Sequence, residues 1–216
     1  YKYLSSLPQI EQVMLMSHFA CADELDNPMT VHQLQLFEET IRGIEAPTSL
    51  ANSPFILGWS VPSGDIIRPG LMLYGASPFQ ELHPNTAQLE AVMSFSTEVI
   101  AIREIPSGTS VGYGNNWSAE RPSRIGTIAL GYGDGYPRHA PSGTPVFIHG
   151  RQIPIVGRVS MDLVTVDLTE LPNTKIGTEV EVFGQNLSIN DVASWCGTIP
   201  HTLMTGLTSR VPRHYV

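Results

Sequence analysis

The chain has 216 residues, of which 42% are apolar and 15% charged, and its net charge is −8. That is enough apolar material for one large or two modest globular domains with a packed core. The acidic balance, with no run of Lys or Arg, argues against nucleic acid or an anionic membrane surface as a partner, and no apolar stretch reaches the ~20 residues of a membrane span.

The first ten residues, YKYLSSLPQI, lack the layout of a signal peptide, so a cytoplasmic location is expected. Cys21 and Cys196 show no metal spacing and are expected as reduced thiols; no metal is expected. Residues 13–19, VMLMSHF, read as a fully buried strand because they are apolar nearly throughout. Thr30 and Gln33 predict a capping-box helix start. Val31, Leu34, Phe37 and Ile41 recur at helical spacing, and Gly43 predicts the stop. Strand candidates follow at 48–50 and at 66–67 or 71–74. The rhythm is that of a βα repeat, with a domain junction in the polar stretch around 80–88.

From 89 onward the pattern is β. Strands are predicted at 94–102, 125–130, 145–149, 153–156, 159–166 and 180–183, separated by Gly, Pro and Asn, as in a small barrel or sandwich. A late helix is predicted over 189–196, with Ser188 as N-cap, Asp191 completing a box and Gly197 beyond the end.

Candidate site residues lie in short runs. Tyr113 sits in VGYGNNW (111–117) and Tyr132 in GYGDGYPR (131–138), both in glycine loops that allow close approach of a ligand or partner. A phenol accepts a proton near neutral pH only beside a cation or a strong hydrogen-bond donor, because its ordinary pKa is about 10. Tyr113 is therefore either a base with such a neighbour or a turn residue that merely packs. Asp134-Gly135 reads as a hairpin turn; a single Asp is too few carboxylates for calcium. In GRVSMD (157–162), Met161 either packs or offers a backbone N–H to a ligand. Ala51-Asn52-Ser53 and Arg68-Pro69-Gly70 offer small residues and free amides suited to a phosphate, or only to turns. Arg68 is a cation inside an apolar segment and needs partners. His18 reads as a satisfied core histidine. Ten of the twelve cations are Arg. Neither Lys2 nor Lys175 has apolar neighbours that would desolvate an amine.

Together these runs resemble the alanine racemases, pyridoxal-phosphate enzymes of fold type III. The resemblance is carried by SHFACADE (17–24), ANS (51–53), IRPGLMLYG (67–75), VGYGNNW, GYGDGYPR, PIVGRVSMD (154–162) and TSRVPR (208–213). It implies an α/β architecture: the last strands of a (β/α)8 barrel over 1–88, then an all-β C-terminal domain over 89–216, working as a homodimer with sites shared across the interface. It implies that Tyr113 is the acid and base on one face of the substrate Cα, reaching into the partner subunit. Met161 gives its backbone to the substrate carboxylate, and Tyr132 narrows the entrance. Arg68 bonds the pyridine nitrogen, and Ser53, Gly70 and the Leu71 amide hold the phosphate of pyridoxal 5'-phosphate. His18 lies between Arg68 and the phenol. The implied reaction interconverts L- and D-alanine and supplies D-alanine for peptidoglycan.

The family's Schiff-base lysine belongs to an N-terminal barrel segment absent from these 216 residues, and Ser209 stands where many members have a phosphate-contacting Tyr. The expectation is therefore the C-terminal three-fifths of the enzyme, catalytically dead alone, with barrel edges that need the missing strands. Two alternatives stand: a broader serine or other amino-acid racemase of the same fold, and a non-catalytic dimerisation or binding module.

Overall fold

The computed structural model describes residues 1–62 and 64–215. The chain divides into two compact units, Tyr1–Glu90 and the residues from Ala91 onward.

The first unit is a fragment of barrel. Helix α1 (Lys2–Ser5) precedes strand β1 (Leu15–Met16), which is joined through helix α2 (Met29–Thr40) to the parallel strand β2 (Thr48–Ser49). Two parallel strands linked by a crossover helix form one βαβ step. Helix α3 (Ser53–Gly58) follows, capped by the Asn52 side chain, which accepts from Phe55 N at 3.3 Å, and Pro54 occupies its second position. A small core holds the step together: Phe19 stacks on Phe55 at 4.4 Å, Phe55 on Trp59 at 5.9 Å, and Leu50, Ala51 and Ala22 close around them.

Several expectations for this unit are corrected. Residues 13–19 are not a fully buried strand. Only Leu15 and Met16 pair, because β2 is the one neighbour among the described residues, and Met14 and Met16 are exposed. The helix does not start on a Thr30 and Gln33 box. It starts at Met29, whose N–H is taken by the Asn27 side chain at 3.0 Å. The Gln33 side chain is engaged elsewhere, accepting from Ala20 N at 2.9 Å and donating to His18 O at 3.4 Å. The helix ends at Thr40 with Ile41 as its C-cap, two residues before the expected stop at Gly43, which lies in the following turn at φ +80°. Residues 66–67 form no strand. Residues 71–74 form a 3₁₀ turn (Leu71–Tyr74) that closes on Gly75 at φ +76°.

The second unit is built on six antiparallel strands. They are β3 (Phe95–Ile105), β6 (Ser123–Ile128), β7 (Pro145–Ile148), β8 (Arg151–Pro154), β9 (Val164–Asp167) and β10 (Glu179–Phe183), in the order β8-β7-β10-β3-β6-β9. An isolated bridge between Ile155 and Val166 joins the two ends, so the sheet nearly closes on itself. Buried residues alternate along β9 and β10, where Val166, Val180 and Val182 are fully buried, whereas Ile125 of β6 is buried in a separate cluster with Ile105, Val111, Ala119 and Val156. The β7–β8 hairpin turns on His149 (φ +48°) and Gly150 (φ +80°), the left-handed pair that a two-residue turn requires.

A smaller ribbon, β4 (Ser110–Val111) with β5 (Trp117–Ser118), carries the Tyr113 loop between its strands. Helices α4 (Ile189–Trp195) and α5 (Pro200–Gly206) end the unit. Ser188 caps α4 as expected, but its hydroxyl accepts from Asn190 N at 3.1 Å. The strand expected over 159–166 begins only at Val164. Before it, Ser160 N donates to Leu163 O at 3.0 Å and Leu163 N to Ser160 Oγ at 3.2 Å, a tight turn that puts Met161 and Asp162 at its tip.

Candidate active site

In the first unit, Arg68 is held by carbonyls rather than by carboxylates. Its Nη1 donates to Ser49 O and Ser49 Oγ, each at 2.8 Å. Its Nη2 donates to Ser17 O at 2.9 Å and to Leu50 O at 3.4 Å, and lies 3.2 Å from His18 Nδ1. Guanidinium only donates, so His18 Nδ1 accepts there and the ring proton sits on Nε2. Arg68 Nε makes no hydrogen bond among the described residues and remains available to a ligand. His18 is exposed, so its reading as a packed core histidine is corrected. It stands at the mouth of β1 because the strand ends before it.

Ser53 is buried, and its Oγ accepts from Gly70 N at 2.9 Å and Met72 N at 3.3 Å. This one hydroxyl folds the 70–72 backbone over the start of α3, beside the buried Leu71. Arg68 N donates to Ala51 O at 2.8 Å, which ties the two motifs together again. His18, Ser53, Arg68, Gly70 and Leu71 thus belong to one connected patch of backbone.

In the second unit, Tyr113 is 70% exposed. Its loop is pressed against the 157–158 backbone. Gly112 has φ +81° and Gly157 φ +75°, and a Cβ on Gly157 would lie 2.6 Å from Val111 O. Neither a side chain nor an ordinary backbone conformation fits there. The Asn116 amide, turned with its oxygen toward Arg158, accepts from Nε at 2.8 Å and Nη2 at 2.9 Å, which fixes the far side of the loop. Beside Tyr113 lies an open concavity lined in part by Arg103, Thr127, Arg158, Ser160 and Thr165.

Tyr132 and Met161 are brought together. Tyr132 N donates to Ser160 O at 3.0 Å and Gly133 N to Met161 O at 2.8 Å. Gly131 lies so close to Met161 that a Cβ would collide with its carbonyl. The hairpin turn expected at Asp134-Gly135 is corrected: the flanking strands β6 and β7 do not pair, and Tyr132–Asp134 form a 3₁₀ turn in which Asp134 Oδ2 accepts from Gly131 N at 2.9 Å. Both Tyr132 and Met161 keep exposed side chains.

One residue of this set escaped the sequence reading. Arg210 Nη2 donates to Asp162 Oδ1 at 2.7 Å and its Nε lies 3.4 Å from Asp134 Oδ1. The hydrogen bond to Asp162, then the charge of Asp134, hold its guanidinium above its usual range. The only available signal was its place in TSRVPR. Behind the loop, Tyr136 is buried with its hydroxyl unpartnered among the described residues, and desolvation raises its pKa. Burial likewise pushes the Cys196 thiol up to about 11.

Comparison with known proteins covers both units. The family described as alanine racemase, N-terminal domain, matches residues 1–78, and that described as alanine racemase, C-terminal domain, matches 92–215. An alanine racemase of Pseudomonas fluorescens is 49% identical over all 216 residues, which cover 60% of that protein. A catabolic alanine racemase of Pseudomonas putida is 45% identical over the same span, again 60% of its length. The crystal structure of biosynthetic alanine racemase from Pseudomonas aeruginosa superposes with a TM-score of 0.95 at 46% identity, covering 100% of this chain and 60% of that one. Alanine racemase from Bartonella henselae, solved with covalently bound pyridoxal phosphate, gives 0.86 at 34% identity, covering 94% of this chain and 56% of that one. The chain spans about three-fifths of the length of the relatives it matches. With its β-rich second unit matched almost end to end, the chain belongs to the alanine racemase family.

Proposed function

We propose that this chain is part of a cytoplasmic alanine racemase that interconverts L- and D-alanine with pyridoxal 5'-phosphate, and that two copies share their sites. Residues 1–88 are its share of the cofactor barrel and 89–216 the partner-facing β domain. Among the described residues no helix is long and apolar enough to cross a membrane.

The first unit offers a donor set that fits the cofactor. Arg68 has one N–H left, on Nε, and every N–H on its other two nitrogens faces an acceptor. Such a group donates to a pyridine nitrogen and cannot protonate it, since Arg stays charged at any working pH. Ser53, Gly70 and the Leu71 amide form a small polar patch suited to a phosphate. Pyridoxal phosphate, when bound, acidifies the Cα–H of an amino acid by drawing electron density into its ring.

This chain's own residues then do the rest. His18 accepts from Arg68 and so holds the guanidinium plane. Met161 offers its N–H to the substrate carboxylate, and Tyr132 narrows the approach. Tyr113, offered outward by its glycine loop, removes or returns the Cα proton on one face in the neighbouring copy's site. The second face needs another base. Lys2 and Lys175, the two lysines of these 216 residues, are both exposed on the surface and neither is offered as that base, so the 216-residue chain taken alone does not racemise.

The observation that carries this reading is Tyr113: a phenol held 70% exposed on a backbone path that only glycine permits. The test is Tyr113→Phe in an enzyme of family length carrying these residues. Its kcat for alanine is expected to fall about 10²–10⁴-fold with cofactor content unchanged. Full activity in that variant would sink the reading. Absence of any cofactor absorbance would favour a binding module, and serine turnover equal to alanine would favour a broader racemase.

A further inference from the structure

Two loops of the second unit are joined by a single guanidinium. Arg210 donates to Asp162 at 2.7 Å and lies 3.4 Å from Asp134, so it straddles the GYGDGYPR and GRVSMD turns. The neighbouring Thr208 reinforces the junction, its Oγ1 donating to Gly133 O at 2.9 Å and its N to Asp134 O at 3.1 Å. Gly133 has no side chain where Arg210 lies, and a Cβ there would collide with Nη1.

What this junction orients is the Met161 amide. A trans peptide is planar, with its C=O and N–H pointing in opposite directions. Tyr132 N–H grips the Ser160 carbonyl, so the Met161 N–H in the same plane is aimed away from the Tyr132 loop. Gly133 N–H grips the Met161 carbonyl and so fixes the following plane as well. The Met161 N–H itself makes no hydrogen bond among the described residues. The structure thus presents one aimed, unused donor, and its aim depends on how firmly the 131–135 turn is held against 160–162.

We propose that Arg210 is a positioning residue: by bridging Asp134 and Asp162 it locks the two turns together and aims the Met161 N–H at the carboxylate of a small amino-acid substrate. The identity of that ligand rests on the racemase reading above; the bridge does not. Without Arg210 two carboxylates face each other across the junction and repel, and the turns separate.

The experiment uses Arg210→Met, Arg210→Lys and Asp162→Asn in the enzyme of family length, with two readouts. Amide hydrogen exchange is expected to accelerate at least several-fold in residues 131–135 and 158–163 of Arg210→Met. The KM for alanine is expected to rise about tenfold while kcat changes less than about threefold, as for loss of a contact made equally in ground and transition states. Arg210→Lys, a point charge that cannot fork, is expected to fall between. Should Arg210→Met fail to fold, Asp162→Asn weakens the bridge from the other side, leaving a neutral acceptor where its shorter arm meets a carboxylate, and the same two readouts are expected to move in the same direction. Unchanged exchange in both turns, or a fall in kcat with KM unchanged, would overturn the proposal. Accelerated exchange in an enzyme whose unsubstituted form racemises no amino acid would overturn the racemase reading and leave the bridge supported.

Discussion

Gly131 lies against the Met161 carbonyl with no room for a side chain between them. The contact is backbone on backbone, so it cannot be relieved by a rotamer change. It joins two loops that lie far apart in sequence, and it does so at the place where the candidate carboxylate donor is held.

Gly131→Ala is therefore expected to destabilise the second unit by about 1–3 kcal/mol, the cost of overpacking a rigid site. Urea unfolding followed by tryptophan fluorescence measures it. A midpoint shifted by less than the error, with an unchanged slope, would show that the loops slide apart freely.

Ser53→Ala removes the one hydroxyl that accepts from both Gly70 N and Met72 N. Two amides lose their partner beside a buried position, at a cost of about 1–3 kcal/mol. The same variant is expected to hold the cofactor phosphate more weakly, seen as faster loss of cofactor on dialysis. Ser53→Thr keeps the acceptor and is expected to restore most of the stability.

Alkaline pH is expected to weaken the fold. Burial raises the Cys196 thiol from 9.0 to about 11 and raises the Tyr136 phenol as well. Both are acids that stay protonated in the folded chain after they have ionised in the unfolded one. The folded state therefore binds more protons in that window, and stability falls as pH rises. The loss begins near pH 9, where the unfolded thiol ionises, and continues through about 11 for Cys196. Thermal melts between pH 8 and 11 measure it. Cys196→Ser is expected to remove the lower part of the slope, and a slope unchanged by that substitution would contradict the assignment.

The β domain was legible because its strands obey period-two alternation between clear turn residues. Residues 145–149 and 180–183 lie within a residue or two of the observed β7 and β10. The first unit was less legible. Apolar content in 13–19 and 71–74 says that these residues meet other apolar groups, not in what conformation. One became two paired residues and the other a 3₁₀ turn. The stretch over 159–163 misled in the same way: Val, Met and Leu suggest a strand, yet the Ser160 hydroxyl bonds back to the backbone and makes a turn. The helix start at Met29 was missed because Gln33 serves Ala20 instead of a cap. Arg210 had no local signature. Its meaning lies in Asp134 and Asp162, which only the folded chain brings near.

The bridge between Ile155 and Val166 has a consequence for how this domain can meet anything else. An open sheet offers a margin of idle amides and carbonyls on which a foreign segment can be added rung by rung. Here the two outermost strands face each other, so that mode of recognition is largely shut off. Recognition at this sheet is left to its turns and projecting side chains, among them the loops that carry Tyr132 and Met161.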